Sequence, residues 1–254
     1  WKDNFTLWNN VAVRYPNVQN GFINRGGAYQ TAGEWEKARS DYETALALRP
    51  GDPDVLNNLG LLKLRENDDE GARSYFQRAL SANPAHAQSL LNLGVLHRKQ
   101  GKVEDALQSY AAAIASDPKL WQAAMETAMV RLGQKDCEAA LPHLLAAQRI
   151  DPDVPDAYGY LGYCFSVQGR TVEAEKNLLE YLERRPDSAE GWNNLAALYA
   201  NTGRPDQARA GGHGRCGRVS RGGADPVLRH RRAEKRVAAQ ARHRRAPLRL
   251  RPHR

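Results

Sequence analysis

Six prolines stand at one unvarying 34-residue interval: Pro16, Pro50, Pro84, Pro118, Pro152 and Pro186. A fixed period of this length is the signature of a chain built by stacking one supersecondary unit. Other columns keep the same step. Gly26, Gly60, Gly94, Ala128, Gly162 and Ala196 form a small-residue column. Ala38, Ala72, Ala106, Ala140, Ala174 and Ala208 form a second. Ala45, Ala79, Ala113 and Ala147 form a third, which Tyr181 breaks. A bulky column runs Trp8, Tyr42, Phe76, Tyr110, Leu144, Leu178.

Within each unit, apolar residues recur three or four apart, as in Leu56, Leu59, Leu62 and Ala72, Phe76, Ala79, Leu80. That spacing predicts two amphipathic helices per unit, each about 13 residues or about 20 Å long. Small residues where two helices cross let the backbones approach, and the bulky column fills the space beside them. Gly33, Gly101, Gly169 and Gly203 fall between the helices, where a residue without Cβ takes positive φ readily. The periodic proline lacks an N–H and biases the residue before it away from helix, so it closes the second helix.

These columns resemble the tetratricopeptide repeat over about residues 19–208. The expected repeats are 19–52, 53–86, 87–120, 121–154, 155–188 and a partial 189–210. The fourth departs most, with Thr127, Ala128 and Arg131 where the family favours Leu, Gly and Tyr. The resemblance implies an all-α, right-handed α-solenoid whose first helices line a concave face. It also implies a protein or peptide ligand in that groove, with no cofactor, metal or small-molecule substrate.

In the family, the second, fifth, sixth, ninth, twelfth and thirteenth positions of each repeat face the groove or lie near it. The sixth reads Asn24, Asn58, Asn92, Glu126, Tyr160, Asn194, and Asn57 and Asn193 precede two of these. An amide both donates and accepts, so it can bond an extended peptide backbone without reading its sequence. The pattern is similar to the asparagine ladder in the repeats of O-linked N-acetylglucosamine transferase. The alternative is that each Asn bonds only within its own repeat. Leu61, Met129 and Tyr163 stand at ninth positions. Arg65, Arg98, Lys99 and Arg131 place positive charge near the groove, although a helix-surface charge is ordinarily just solvated. They do not form the ordered Lys, Asn and Arg set that grips a terminal carboxylate in chaperone-tail clamps.

No catalytic constellation gathers in residues 1–210. His86, His97 and His143 lie apart in the repeat register, and Cys137, Cys164 and Cys216 form no CxxC pair. Cys164 on an apolar helix reads as packed rather than reactive. Asp68, Asp69 and Glu70 sit where carboxylates favour a helix N-terminus. The fragment is therefore expected to be non-catalytic. No apolar run reaches the roughly 18 residues that a membrane span needs.

The two ends differ from the body. Residues 1–18 are in the register of a second helix, making half a repeat. Trp1, Asp3, Leu7, Trp8 and Pro16 resemble the junction where O-mannosyltransferase-like transmembrane proteins pass from their last span into soluble repeats. That likeness implies a larger membrane parent, repeats on the extracytoplasmic side and an acceptor-presenting role beside a glycosyltransferase. Without it, a cytoplasmic scaffold is the expectation. The net charge of +8 is uneven. Residues 211–254 hold 13 Arg and one Lys against Asp225 and Glu234, a net +12, while the rest of the chain carries −4. This arginine-, glycine- and alanine-rich stretch breaks every column at once, as a reading-frame shift in a GC-rich gene would. The other reading is a basic arm that binds nucleic acid through phosphates, without aromatics for base stacking. Either way, it is expected to be disordered alone.

Overall fold

The computed structural model describes residues 4–204, 206 and 207. All twelve regular elements there are α-helices, and no strand occurs among the described residues. The chain divides into two compact units, residues 1–150 and 151–254. The basic segment, Ala208 and Cys216 lie outside the described residues.

The first unit holds α1 (Asn4–Arg14), α2 (Gln19–Thr31), α3 (Trp35–Leu48), α4 (Pro53–Arg65), α5 (Asp69–Ala82), α6 (Ala87–Lys99), α7 (Val103–Ser116), α8 (Trp121–Gly133) and α9 (Cys137–Ile150). The second holds α10 (Pro155–Val167), α11 (Thr171–Arg184) and α12 (Ala189–Asn201). From α2 on, each odd-numbered helix pairs with the even-numbered helix before it, as antiparallel helix–turn–helix units require. First helices start at residues 19, 53, 87, 121, 155 and 189, on the 34-residue step.

The ends of the helices follow from local chemistry. The residue before the periodic proline is extended at Arg49 (φ −145°), Asn83 (φ −140°) and Asp117 (φ −137°), and equally out of helix at Arg185 (φ −132°). Side-chain caps then restart the chain. Asp52 accepts from the amides of Asp54 and Val55, with Pro53 at the first helical position. Asp68 accepts from the Gly71 amide at 2.9 Å, and that bond holds its carboxyl below the usual range. Ser188 caps α12 by accepting from Gly191.

The turn between paired helices has positive φ at Gly33, Gly101, Gly169 and Gly203, from 71° to 77°. Asn67 (φ 61°) and Lys135 (φ 60°) occupy the same step in the other two repeats. Asn visits this region readily, whereas a lysine there crowds its own Cβ against the backbone. Lys135 is exposed, so its side chain does not pack into the core. Lys135→Gly is expected to stabilise the first unit by about 0.5–1 kcal/mol, less the entropy glycine gains when unfolded. Urea melts would read it as a higher midpoint at unchanged slope.

The small and bulky columns meet as expected. A Cβ built on Gly26 would lie 2.7 Å from Tyr42 Cε1, on Gly60 2.5 Å from Phe76 Cε1, and on Gly94 2.5 Å from Tyr110 Cε1. In the second unit, a Cβ on Gly162 would lie 2.6 Å from Leu178 Cγ. Ala38, Ala72, Ala106, Ala140 and Ala174 are all fully buried, as are Ala45, Ala79, Ala113 and Ala147. Tyr181 breaks the last column without leaving the core. Its ring lies against two glycines: a Cβ on Gly191 would be 2.8 Å away and one on Gly159 3.4 Å. Its hydroxyl accepts from Ser188 Oγ at 3.1 Å. A large residue at an alanine position is thus matched by small ones opposite it.

His143 on α9 sits half-buried, and burial followed by the Arg131 charge holds its pKa below 6.5. The unfolded chain therefore binds this proton more readily than the folded one. Stability from this group is complete above about pH 6.5 and falls as pH drops below that value, levelling off under the folded pKa. His143→Gln is expected to flatten the thermal-melt difference between pH 7.5 and 5.5. An equal loss in both proteins would assign the slope to other groups.

Candidate functional site

In the first unit, α4, α6 and α8 lie side by side. Two side-chain links show which faces they turn to one another. Asn92 Nδ2 on α6 donates to Asn57 Oδ1 on α4 at 2.9 Å. Arg98 Nε on α6 forms an ion pair with Glu126 Oε2 on α8 at 3.1 Å. Asn92, Val95 and Arg98 share one stripe of α6, three residues apart. Asn58 and Leu61 on α4, and Glu126 and Met129 on α8, stand at the matching positions. Leu61 and Val95 are half-buried, and Met129 is 37% exposed. The face is an apolar strip edged by amides.

The amides are not equivalent. Asn24 donates to the Asn20 carbonyl one turn back, at 2.8 Å, so it is engaged within its own helix. Asn57 is buried at 6% exposure and accepts from both Asn92 and Ser89 Oγ, the latter at 3.3 Å. Asn58 forms no side-chain hydrogen bond among the described residues and is half-buried at the edge of the face. Each sequence-predicted cation already has a partner, Arg131 included, whose Nη1 donates to Gln134 Oε1 at 3.1 Å. The Arg65 guanidinium stacks 3.8 Å above the Trp35 ring. Lys99 Nζ pairs with Asp69 Oδ1 at 2.7 Å. Both contacts run from the end of a first helix back to the start of the preceding second helix. Arg98 pairs with Glu126, which also accepts from the Tyr110 hydroxyl at 3.4 Å. Burial pushes the Tyr110 phenol up to about 12, so it stays a neutral donor.

In the second unit, Tyr163 is 44% exposed on α10, while Asn193 and Asn194 stand on α12, exposed and half-buried. Tyr160 on α10 is half-buried, and burial raises its pKa. Neither asparagine has a side-chain hydrogen bond among the described residues.

Two features escaped the sequence reading. One is the buried ion pair in which Arg25 Nε and Nη2 bond both Asp41 oxygens at 2.8 and 2.7 Å, while Nη1 donates to Asn9 at 3.0 Å. The other is a polar chain. His86 Nε2 lies 3.0 Å from Asp54 Oδ1, and its Nδ1 lies 2.8 Å from Ser89 Oγ, which leads on to Asn57. Ser89 is fully buried, so its hydroxyl meets only protein. No three His, Cys, Asp or Glu side chains gather to hold a metal among the described residues. No helix there is long and apolar enough to cross a membrane.

The tetratricopeptide repeat family model matches residues 23–87, 61–120 and 125–176, and a second model of the same description matches 177–210. The chain belongs to the tetratricopeptide repeat family. Solved structures share this fold at low identity. PilF of Pseudomonas aeruginosa is 19% identical with TM-score 0.70, over 85% of this chain and 97% of that one. PilW, a type IV pilus biogenesis factor, is 22% identical with TM-score 0.61, over 75% and 88%. YrrB, a repeat protein with an unusual peptide-binding site, is 20% identical with TM-score 0.50, over 79% and 98%. No curated protein matches the chain. Neither the family nor these structures bear on the likeness of residues 1–16 to O-mannosyltransferase-like membrane proteins, and Trp1 and Asp3 lie outside the described residues.

Proposed function

We propose that the chain is a protein-interaction scaffold, and that the α4–α6–α8 face takes an uncharged, extended segment of a partner protein. One observation carries this reading: the cations beside the face already have partners, Arg65 in Trp35, Arg98 in Glu126, Lys99 in Asp69 and Arg131 in Gln134. A terminal carboxylate would find the charges of Arg98 and Lys99 already offset by Glu126 and Asp69. What remains for a ligand is apolar surface at Leu61, Val95 and Met129 and the amides of Asn58 and Asn92. Such a face suits a peptide backbone with small apolar side chains.

The test is fluorescence anisotropy with a panel of labelled peptides, about a dozen residues long, with blocked or free acidic C-termini. Neutral blocked peptides are expected to bind, with no gain from a free carboxylate. Asn58→Ala and Asn92→Ala should each weaken binding about three- to tenfold at unchanged helicity. Binding that requires the acidic terminus, or that ignores both substitutions, sinks the proposal. The wider reading, in which the repeats present acceptor proteins within a membrane glycosyltransferase, is supported by the residues that opened it, Leu7, Trp8 and Pro16 with Trp1 and Asp3. The nucleotide sequence upstream of Trp1 tests it, since that reading requires encoded apolar spans.

A further inference from the structure

The buried polar chain beneath the α4–α6–α8 face ends on a side chain that a ligand would meet. It starts at Asp54 on the surface of α4, runs through His86 at the cap of α6 to Ser89, then to Asn57, and ends at Asn92. Exposure changes sharply along it. Asp54 is exposed, His86 keeps 12% of its side chain exposed, Ser89 keeps none, Asn57 6%, and Asn92 is half-buried at the face. Asn57 is therefore too deep to be a contact residue, although its repeat position had placed it in the groove.

Its hydrogen bonds give it a different role. An asparagine amide turns freely about its last torsion, which has broad, nearly equivalent wells. Asn92 is not free to do so, because Nδ2 is tied to Asn57 Oδ1 at 2.9 Å. Asn57 is held in turn, since it is buried and the Ser89 hydroxyl donates to the same oxygen at 3.3 Å. With one amide proton committed, Asn92 keeps one N–H and its carbonyl oxygen, in a fixed plane, for a ligand. Those are the two groups that one peptide unit of an extended chain can satisfy.

We propose that Asn57 is a positioning residue: through its bond to Asn92, with Ser89 behind it, it sets the orientation in which the face meets a partner's backbone. This rests on the peptide-site reading above. An amide ordered before binding does not lose that freedom on binding, so affinity depends on Asn57 only while Asn92 is present.

Two measurements on the full chain test it. The first uses no ligand. Side-chain amide NMR of Asn92 is expected to show one proton of the pair exchanging slowly with solvent and the other quickly. Asn57→Leu should abolish the difference, and Asn57→Asp, which keeps an acceptor, should retain it. Equivalent Asn92 protons in the unaltered protein overturn the proposal. The second is a double-mutant cycle with the tightest neutral peptide of the panel, with helicity checked for each variant. Asn57→Leu should weaken binding about three- to tenfold alone, and less than about twofold in an Asn92→Ala background. Asn57→Asp should stay within about twofold of the unaltered protein. Equal losses in both backgrounds overturn the positioning role and leave the peptide site standing. Failure of every peptide to bind the unaltered protein overturns the peptide site itself, and the role of Asn57 in binding with it.

Discussion

Arg25→Ala is expected to be among the most damaging single changes in the first unit, at about 3–5 kcal/mol. The Arg25 side chain is 17% exposed and that of Asp41 only 7%. Removing Arg25 leaves a buried carboxylate without its counter-charge, which costs more than the pair contributes. It also removes the Asn9 bond, so α1 loses one polar tie to α2, and the cation stacked near Phe22 and Tyr29 goes with it. Repeat arrays behave as chains of nearest-neighbour contacts, so the loss should appear first at the N-terminal end. Hydrogen exchange should show protection of α2 and α3 falling by about two to three and a half orders of magnitude, the factor that energy implies, while α8 and α9 change little. Replacing both partners, as Arg25→Met with Asp41→Met, should recover much of the loss, because no charge is then left buried. A single-mutant cost below about 1 kcal/mol would mean that water reaches Asp41 and that the pair behaves like a surface bridge.

That pair also shows where sequence reading stops. Arg25 and Asp41 occur in one repeat only, so no column marks them, and two charges on separate helices look solvated until those helices are packed. The same limit applies to Arg65 and Lys99. Their place near the end of a first helix was legible from the register. Their partners Trp35 and Asp69 were not, because a contact between neighbouring repeats leaves no local pattern. The columns were legible because every repeat must solve one packing problem, and the solution recurs: Gly33, Gly101, Gly169 and Gly203 declared a positive-φ turn that Asn67 and Lys135 then filled without glycine. Among the asparagines, Asn24 and Asn92 share one repeat position and Asn57 stands just before it, yet the register assigns all three to the groove. Burial and a neighbour's donor separate one that bonds its own helix, one that is structural and one that is presented.

Gly60→Ala puts the packing argument to its sharpest test, because two known effects oppose each other. In a free helix, alanine is favoured over glycine by about 1 kcal/mol. At Gly60, the new methyl would sit 2.5 Å from Phe76 Cε1, and that ring is fully buried, with nowhere to turn. Overpacking of this kind costs about 1–3 kcal/mol, so the net effect should be destabilising, and Gly60→Val should cost about 3 kcal/mol or more. Gly133, at the end of α8, supplies the control. A Cβ there meets nothing within 4 Å, so Gly133→Ala should gain up to about 1 kcal/mol. The chain contains its own compensated version of the contact: in the fourth repeat Ala128 replaces the glycine and Leu144 the aromatic ring, and both are fully buried. Phe76→Leu should therefore cost less in a Gly60→Ala background than alone, with a coupling of about 1 kcal/mol or more in urea melts. Strictly additive effects would mean that the ring shifts to admit the methyl, and that helix crossing does not explain the 34-residue glycine column.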